Sequence, residues 1–247
     1  MVMNVSKPPF DNLQVRQALN LAVNRDALIK VVLLGYGEPA SGPLTPSTRG
    51  YWDGVEEIGY GYDMEQAQAL MAEAGYTLND DGILEKDGQP LTLVLKATPS
   101  SVKPAEVMQA QFKALGIDLE LQVLESGVMQ EDIANGEYDL AFSTWDWAES
   151  SILFPTFASV TIGFMNEGQV NDPALDEMLF TAFGAPSSDV SEEFYNEAQR
   201  YIVEQAYVIP LFSATNSYAV AEEVQDLQWS ANGQMILFDA YIETAVP

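Results

Sequence analysis

This sequence of 247 residues contains neither cysteine nor histidine. Their absence excludes catalysis by a thiol nucleophile or an imidazole base, and metal sites built from thiolates or imidazoles. The composition still permits a pair of catalytic carboxylates, a serine–lysine pair, or a metal site made of carboxylates alone. The range of reactions open to the chain is therefore narrow.

Basic residues are also scarce, with six lysines and four arginines against 37 acidic residues. The formal net charge of −27 at pH 7 repels nucleic-acid phosphate and anionic membrane surfaces. We therefore expect no nucleic-acid partner. Two interpretations of the acidity remain, namely the solvated surface of a secreted protein and an adaptation to salt, which screens self-repulsion.

Long apolar runs are missing as well. No apolar run is longer than the four residues of Val31–Leu34, far fewer than the roughly 18 residues of a membrane span, so we expect a chain that does not cross a membrane. The first residues, Met1–Asn4, lack the basic and apolar regions of a signal peptide. The protein is thus either cytoplasmic or a trimmed chain, and the abrupt start favours the trimmed chain. Apolar residues make up 47% of the sequence, enough for a substantial core.

The middle of the chain has the pattern of an α/β unit. Alternating or continuous apolar residues predict strands at 91–97, 117–124 and 138–142. Helical spacing predicts helices at 105–115 and 127–134 between these strands. A strand–helix–strand–helix–strand order favours a parallel sheet with right-handed crossovers.

Further elements are predicted on both sides of this unit. The expected helices cover 13–23, 25–34, 64–74, 173–182 and a segment capped by Asp189 or Ser191 that continues to Ile202. Strand-like segments are expected at 208–212, 217–221 and 235–241. Residues 35–52, rich in glycine and proline, form a loop longer than a connection needs.

Several passages together resemble one protein family. The first, residues 8–28 (PPFDNLQVRQALNLAVNRDAL), resembles a passage of the family 5 extracellular solute-binding proteins, the dipeptide, oligopeptide and nickel receptors of ABC importers. Similar passages follow in the same order at 35–43, 62–76, 109–117, 136–140 and 208–212. The match in order, from about Pro8 to about Tyr218, makes coincidence an inadequate explanation.

The resemblance implies the fold and the domain organisation. It implies an α/β lobe of the type II periplasmic-binding-protein kind, with a mixed, mainly parallel sheet flanked by helices. Residues 1–9 would be a hinge-proximal segment, 10–206 the C-terminal lobe, and 207–247 a return segment that belongs to an N-terminal lobe outside this chain. We therefore expect a fragment of a two-lobed receptor.

The resemblance also implies a function. The chain would supply one wall of a receptor that captures a small solute, a peptide or another small polar solute, for an ABC importer. The partners would be that solute and the permease subunits, and the location periplasmic or extracellular, with a lipid anchor as one option for the full-length protein. We expect no cofactor, no metal site and no catalytic residue.

The loop after the third predicted strand is the candidate binding site. It contains Thr144, Trp145, Asp146, Trp147 and Glu149, so that two indoles flank one carboxylate and precede another. Indole faces beside a carboxylate suit a cation or an amine, and also a sugar or a flat ring. In an open α/β sheet, ligands bind outside the carboxyl ends of the strands. The alternative is that both tryptophans pack inside a bent loop in which Asp146 makes a turn.

This loop departs from the pattern of the family it resembles. Several peptide receptors bind the peptide amino group with an aspartate three residues after the tryptophan, where this chain has Ala148. Nickel-receptor-like members have a tyrosine four residues after it, where this chain has Glu149. The departure puts a peptide ligand in doubt unless Asp146 or Glu149 binds the amine. Without histidine, this lobe is not expected to assist nickel chelation through an imidazole.

Two secondary candidates and two rival functions remain. The segment Thr98–Ser101 follows the first predicted strand and either faces the cleft or caps the next helix, with capping favoured. Arg49, in the long loop, is a weak candidate for binding an anion.

Asp146 and Glu149 would have to act as an acid–base pair in an enzyme, but their spacing on one loop does not support this. The other rival is a ligand-sensing lobe fused to a transcriptional regulator.

Overall fold

A computed structural model describes residues 1–145, 147–215, 217–230 and 233–243. In these ranges the α-helices are α1 (Leu13–Leu21), α2 (Arg25–Val32), α3 (Val55–Ile58), α4 (Met64–Glu73), α5 (Val102–Leu115), α6 (Ser126–Ala134), α7 (Leu153–Phe157), α8 (Pro173–Phe183) and α9 (Ser188–Glu204). The strands in the same ranges are β1 (Val2–Met3), β2 (Gly37–Pro39), β3 (Thr77–Leu78), β4 (Leu84–Lys86), β5 (Gln89–Pro90), β6 (Thr92–Ala97), β7 (Asp118–Val123), β8 (Leu140–Ala141), β9 (Phe212–Ala214), β10 (Val224–Gln225), β11 (Gln228–Trp229), β12 (Met235–Ile236) and β13 (Tyr241–Ile242).

The main sheet has the strand order β1-β8-β6-β7. Strand β6 is parallel to both β7 and β8, whereas β1 runs antiparallel to β8. The three strands predicted from the sequence share this one sheet, so the expected mixed, mainly parallel α/β architecture is confirmed.

Strand β8 is shorter than the predicted 138–142 because side chains replace part of its ladder. A carboxylate oxygen of Asp139 accepts the backbone N–H of Val94 at 2.9 Å. The amide of Asn4 donates to the carbonyl of Tyr138 at 3.3 Å. These bonds satisfy backbone groups that would otherwise pair between strands. Only two residues of the segment are left in regular pairing.

The two faces of the sheet are covered by different helices. On one face, Leu93 and Leu95 pack with Met108 and Phe112 of α5 in the largest apolar core, to which α1 and α4 also contribute. On the other face, a small apolar cluster underlies α6, with the buried side chains Val2, Ile133, Tyr138 and Ala141. Helix α6 therefore connects β7 to β8 on the less apolar side of the sheet.

A second core lies among α7, α8 and α9 and includes the buried Leu44 from the long loop. Asp172 caps α8, with its carboxylate accepting the N–H of Ala174 at 2.8 Å. The predicted cap of α9 was wrong, because the helix begins earlier and Ser187 caps it. The hydroxyl of Ser191 instead donates to the carbonyl of Ala182 at 2.9 Å, which ties α9 to α8.

Two arginines hold the chain where it returns to the main core. Arg16 Nε donates to the carbonyl of Gln205 at 2.9 Å, and Arg25 Nε donates to the carbonyl of Pro210 at 2.7 Å. The strand expected at 208–212 begins only at Phe212, where β9 pairs antiparallel with β2. The strand expected at 217–221 does not form, and the one expected at 235–241 is limited to β12, with β13 starting at Tyr241.

Candidate functional site

The candidate loop begins at the carboxyl edge of the main sheet. Lys96 of β6 lies opposite Ala141 of β8, so Thr98 and Ser143 leave these two parallel strands at the same edge. Ligands of open α/β sheets bind at this edge, in the crevice outside the strand ends. The loop is therefore placed where the fold offers a ligand site.

Both indoles of the loop are open to solvent. The exposed fraction is 44% for Trp145 and 52% for Trp147, and Thr144 and Glu149 are also exposed. Asp146 lies outside the described residues. An exposed pair of large aromatic side chains is an effective platform for stacking a ligand. The assignment of these residues to a binding site stays a prediction.

A second loop, distant in sequence, is joined to the end of this one. The N–H of Arg49 donates to the carbonyl of Ala148 at 2.9 Å, and the N–H of Ser150 donates to the carbonyl of Arg49 at 2.8 Å. The guanidinium of Arg49 also forms an ion pair with Glu149, with exposed side-chain fractions of 77% and 48%. The sequence identified Arg49 only as a weak candidate, because its partner lies 100 residues away.

The loop that carries Arg49 is braced further along by Glu56. Its carboxylate accepts hydrogen bonds from the hydroxyls of Tyr51 and Ser41, the latter at 2.7 Å. These bonds lower the pKa of Glu56, the one from Tyr51 having the larger effect. Burial and the bond to Glu56 raise the pKa of Tyr51. At neutral pH the carboxylate is therefore charged and the phenol neutral, which maintains the brace.

A half-buried carboxyl group lies beneath the start of the candidate loop. Burial raises the pKa of Glu167, and the nearby hydroxyl of Ser143 acts in the opposite direction. The Tyr138 hydroxyl donates to the backbone carbonyl of Glu167. The candidate loop therefore begins next to two polar groups, the carboxyl of Glu167 and the hydroxyl of Tyr138.

The structure assigns the Thr98–Ser101 segment to helix capping. The N–H of Thr98 donates to the hydroxyl of Ser101 at 2.9 Å, and the two residues form a reciprocal capping box before α5. This is the alternative that the sequence favoured. Their side chains are therefore already occupied in local bonds at the sheet edge.

In the ranges that the structure covers, no three acidic side chains are grouped so as to hold a metal ion. Among the same residues, no helix has both the length and the apolar character that a membrane crossing requires.

The comparison with family models decides the affiliation of the chain. Residues 1–160 match the model described as "Bacterial extracellular solute-binding proteins, family 5 Middle". The chain belongs to this family. Family 5 consists of substrate-binding transport proteins rather than enzymes.

Curated relatives agree with this affiliation. The chain is 32% identical over 240 residues to the "Probable di/tripeptide-binding protein 5" of Pseudomonas aeruginosa, covering 95% of this chain and 44% of the relative. It is 28% identical over 249 residues to "Heme-binding protein A" of Haemophilus influenzae, covering 100% of this chain and 44% of that protein. The chain therefore spans less than half the length of these relatives.

Two solved structures of peptide-binding proteins share the fold. The oligopeptide-binding protein AppA of Bacillus subtilis, in complex with a nonapeptide, superposes with a TM-score of 0.85 at 24% identity, covering 98% of this chain and 49% of AppA. DppA of Helicobacter pylori, in complex with a peptide, superposes with a TM-score of 0.79 at 26% identity, covering 98% of this chain and 46% of DppA. The expected periplasmic-binding-protein fold is thus confirmed.

Proposed function

We propose that this chain forms one wall of the solute-binding cleft in the receptor of an ABC importer. The receptor captures a small solute, a peptide or another small polar solute, between two lobes and delivers it to the permease subunits. Its place of action is the periplasm or the cell exterior, in keeping with the extracellular family that the chain matches. The match to relatives described as peptide-binding supports this proposal.

The observation that carries the proposal is the exposed indole pair at the sheet edge. Trp145 and Trp147 leave the sheet where ligands of this fold class bind, and each keeps about half of its surface exposed. Glu149 is already neutralised by Arg49, so it recognises an amine only if that ion pair opens. We therefore assign the recognition of a cationic group to Asp146. Glu149 takes this role only when its ion pair with Arg49 is open.

The division of the chain is part of the proposal. We assign residues 1–9 to a hinge-proximal segment, 10–206 to the C-terminal lobe, and 207–247 to a return segment that belongs to the other lobe. The exposure of the tail supports this division, since no described residue from 217 onward is buried. The beginning of the return segment also contributes to the core, where Ile209 and Leu211 are buried.

Titration of the complete receptor with a library of dipeptides tests the proposal. Tryptophan fluorescence or calorimetry should detect a bound dipeptide, and Trp145→Ala should weaken its binding by more than about tenfold, since a stacked aromatic anchor contributes on the order of 1–3 kcal/mol. The matched control is Trp229→Ala, which removes another exposed indole, one that contacts Tyr218. Unchanged affinity in the Trp145 variant would remove this loop from the site.

The chain alone provides a second test. Because it supplies only one wall, most of the contact and desolvation free energy of a closed cleft is lost. We expect the 247-residue chain to bind the same dipeptide far more weakly than the complete receptor does. Equal affinity in the two proteins would contradict the two-wall proposal.

A further inference from the structure

Gln199 is a polar residue in an apolar environment. It lies on α9 with an exposed fraction of 0%, beside buried residues of the second core such as Ala198 and Ile202. Burying a primary amide costs free energy unless its donors and its acceptor find partners. The partners of Gln199 therefore indicate what this side chain stabilises.

Both ends of the Gln199 amide bind the loop that carries Arg49. The amide nitrogen donates to the carbonyl of Gly50 at 2.8 Å, and the amide oxygen accepts the N–H of Trp52 at 3.1 Å. The nitrogen also donates to the carbonyl of Tyr195 in its own helix at 3.3 Å. One buried side chain thus fixes two backbone groups of a surface loop.

The fixed loop is in turn bound to the end of the candidate site. Arg49 precedes Gly50 and exchanges two backbone hydrogen bonds with Ala148 and Ser150. The approach at this point is close, because a Cβ added to Gly50 would lie 2.4 Å from the hydroxyl oxygen of Ser150. A displacement of Gly50 would therefore be transmitted directly to residues 148–150, which follow Trp147.

We propose that Gln199 is a positioning residue of the candidate site. It fixes residues 50–52, these fix Arg49, and Arg49 holds the end of the loop that presents the two indoles and Glu149. The inference rests on the proposed function, because it concerns the same loop. It adds that the geometry of the solute-binding wall is set from inside the second core, by a residue that does not touch the solute.

Gln111 provides a matched control for the test. It lies on α5, where its amide nitrogen donates to the carbonyl of Asn24 at 3.1 Å and its amide oxygen accepts the N–H of Asn24 at 3.0 Å. It therefore makes the same pair of bonds to backbone groups, but at the start of α2. Methionine has nearly the length and volume of glutamine without the amide, so Gln199→Met and Gln111→Met each remove one pair of bonds to backbone groups, Gln199 from a buried position and Gln111 from a partly buried one.

The first measurement is amide hydrogen exchange of the 247-residue chain under native conditions. In Gln199→Met, exchange at the N–H groups of Arg49 and Ser150 should accelerate about tenfold relative to Gln111→Met, after correction for global stability, which corresponds to the loss of one net hydrogen bond. Equal exchange in the two variants would overturn the inference. If Gln199→Met does not fold, Gln199→Asn and Gln111→Asn, whose amides are one methylene shorter, test the same link with the same outcomes expected.

The second measurement is the affinity of the complete receptor for the dipeptide identified above. Gln199→Met should weaken binding several-fold while Gln111→Met leaves it unchanged, an effect that a purely structural role would not produce. If Gln199→Met exchanges faster but binds the dipeptide as tightly as the wild type, the inference is overturned. The proposed function still stands in that case, provided that Trp145→Ala weakens binding. A receptor that binds no dipeptide would exclude dipeptides as its solute, and the exchange data alone would then decide whether Gln199 fixes the loop.

Discussion

The partly buried ion pair between Lys96 and Asp132 allows a quantitative test of how α6 is held on the sheet. Lys96 lies on the central strand β6 and Asp132 on α6, the helix that leads to β8 and hence to the candidate loop. The exposed side-chain fractions are 8% for Lys96 and 22% for Asp132. The two charges therefore differ in their access to water once their partner is removed.

This difference predicts unequal costs for the two single substitutions. Asp132→Asn leaves an unpaired ammonium group that water barely reaches, and we expect a loss of about 3 kcal/mol in the free energy of unfolding, the lower end for a broken buried pair. Lys96→Met fills the same space and leaves a carboxylate that reaches water, so we expect a loss of about 1 kcal/mol. The double variant should be more stable than Asp132→Asn, because it buries no unpaired charge.

Urea unfolding at pH 7, followed by tryptophan fluorescence and circular dichroism, measures these differences. Glu131→Gln is the control, because it removes one negative charge from the exposed side of the same helix and should change stability by less than about 0.5 kcal/mol. Equal costs for the two single variants, or a double variant less stable than both, would refute the reasoning.

Two further predictions concern charged groups at the surface. The pKa of Asp172 lies below its usual value, since hydrogen bonds from Tyr207 and from the N–H groups at the start of α8 outweigh the opposing effect of burial. Asp172→Asn should therefore lower the free energy of unfolding by about 1 kcal/mol at pH 7. This loss should shrink as the pH falls below about 4, because the wild-type carboxylate is then protonated. Urea unfolding at several pH values measures the difference. Arg49→Gln should change the free energy of unfolding by less than about 1 kcal/mol, because the ion pair with Glu149 is exposed. The same variant should strengthen the binding of lysine-containing dipeptides to the complete receptor, because it frees the Glu149 carboxylate. Weaker binding would exclude Glu149 as the amine ligand.

The sequence predicted the elements whose signals are local. Strands β6 and β7 follow from their apolar patterns, and α5 ends at Gly116, which has a φ of +99° that glycine adopts readily. The start of α9 was missed because three serines and an aspartate within residues 187–191 offer several possible caps, and the contact that commits Ser191 to α8 is not visible in the sequence. Local pattern therefore defines an element better than it defines its ends.

The candidate site was only partly accessible to sequence reasoning. The tryptophan-rich loop was identified because its composition is unusual and because it follows a strand. The bonds of Arg49 to residues 148–150 and the role of Gln199 join segments that lie about 100 and 150 residues apart. No periodicity or short motif encodes such a pairing, and a single sequence offers no covariation from which to infer it.

The edge strand β1 has a consequence for the order in which the lobe folds. Its two residues pair with Leu140 and Ala141, and Val2 also bridges to Val208, so the edge of the sheet is completed by contacts that span most of the chain. Closing such large loops costs entropy before any contact compensates for it, and folding rates fall as contacts become less local. During synthesis, the open side of β8 is therefore left without its strand partner until β1 docks, and the bridge to Val208 forms only after α9 has emerged. This interval is when the lobe most needs protection from edge-to-edge association.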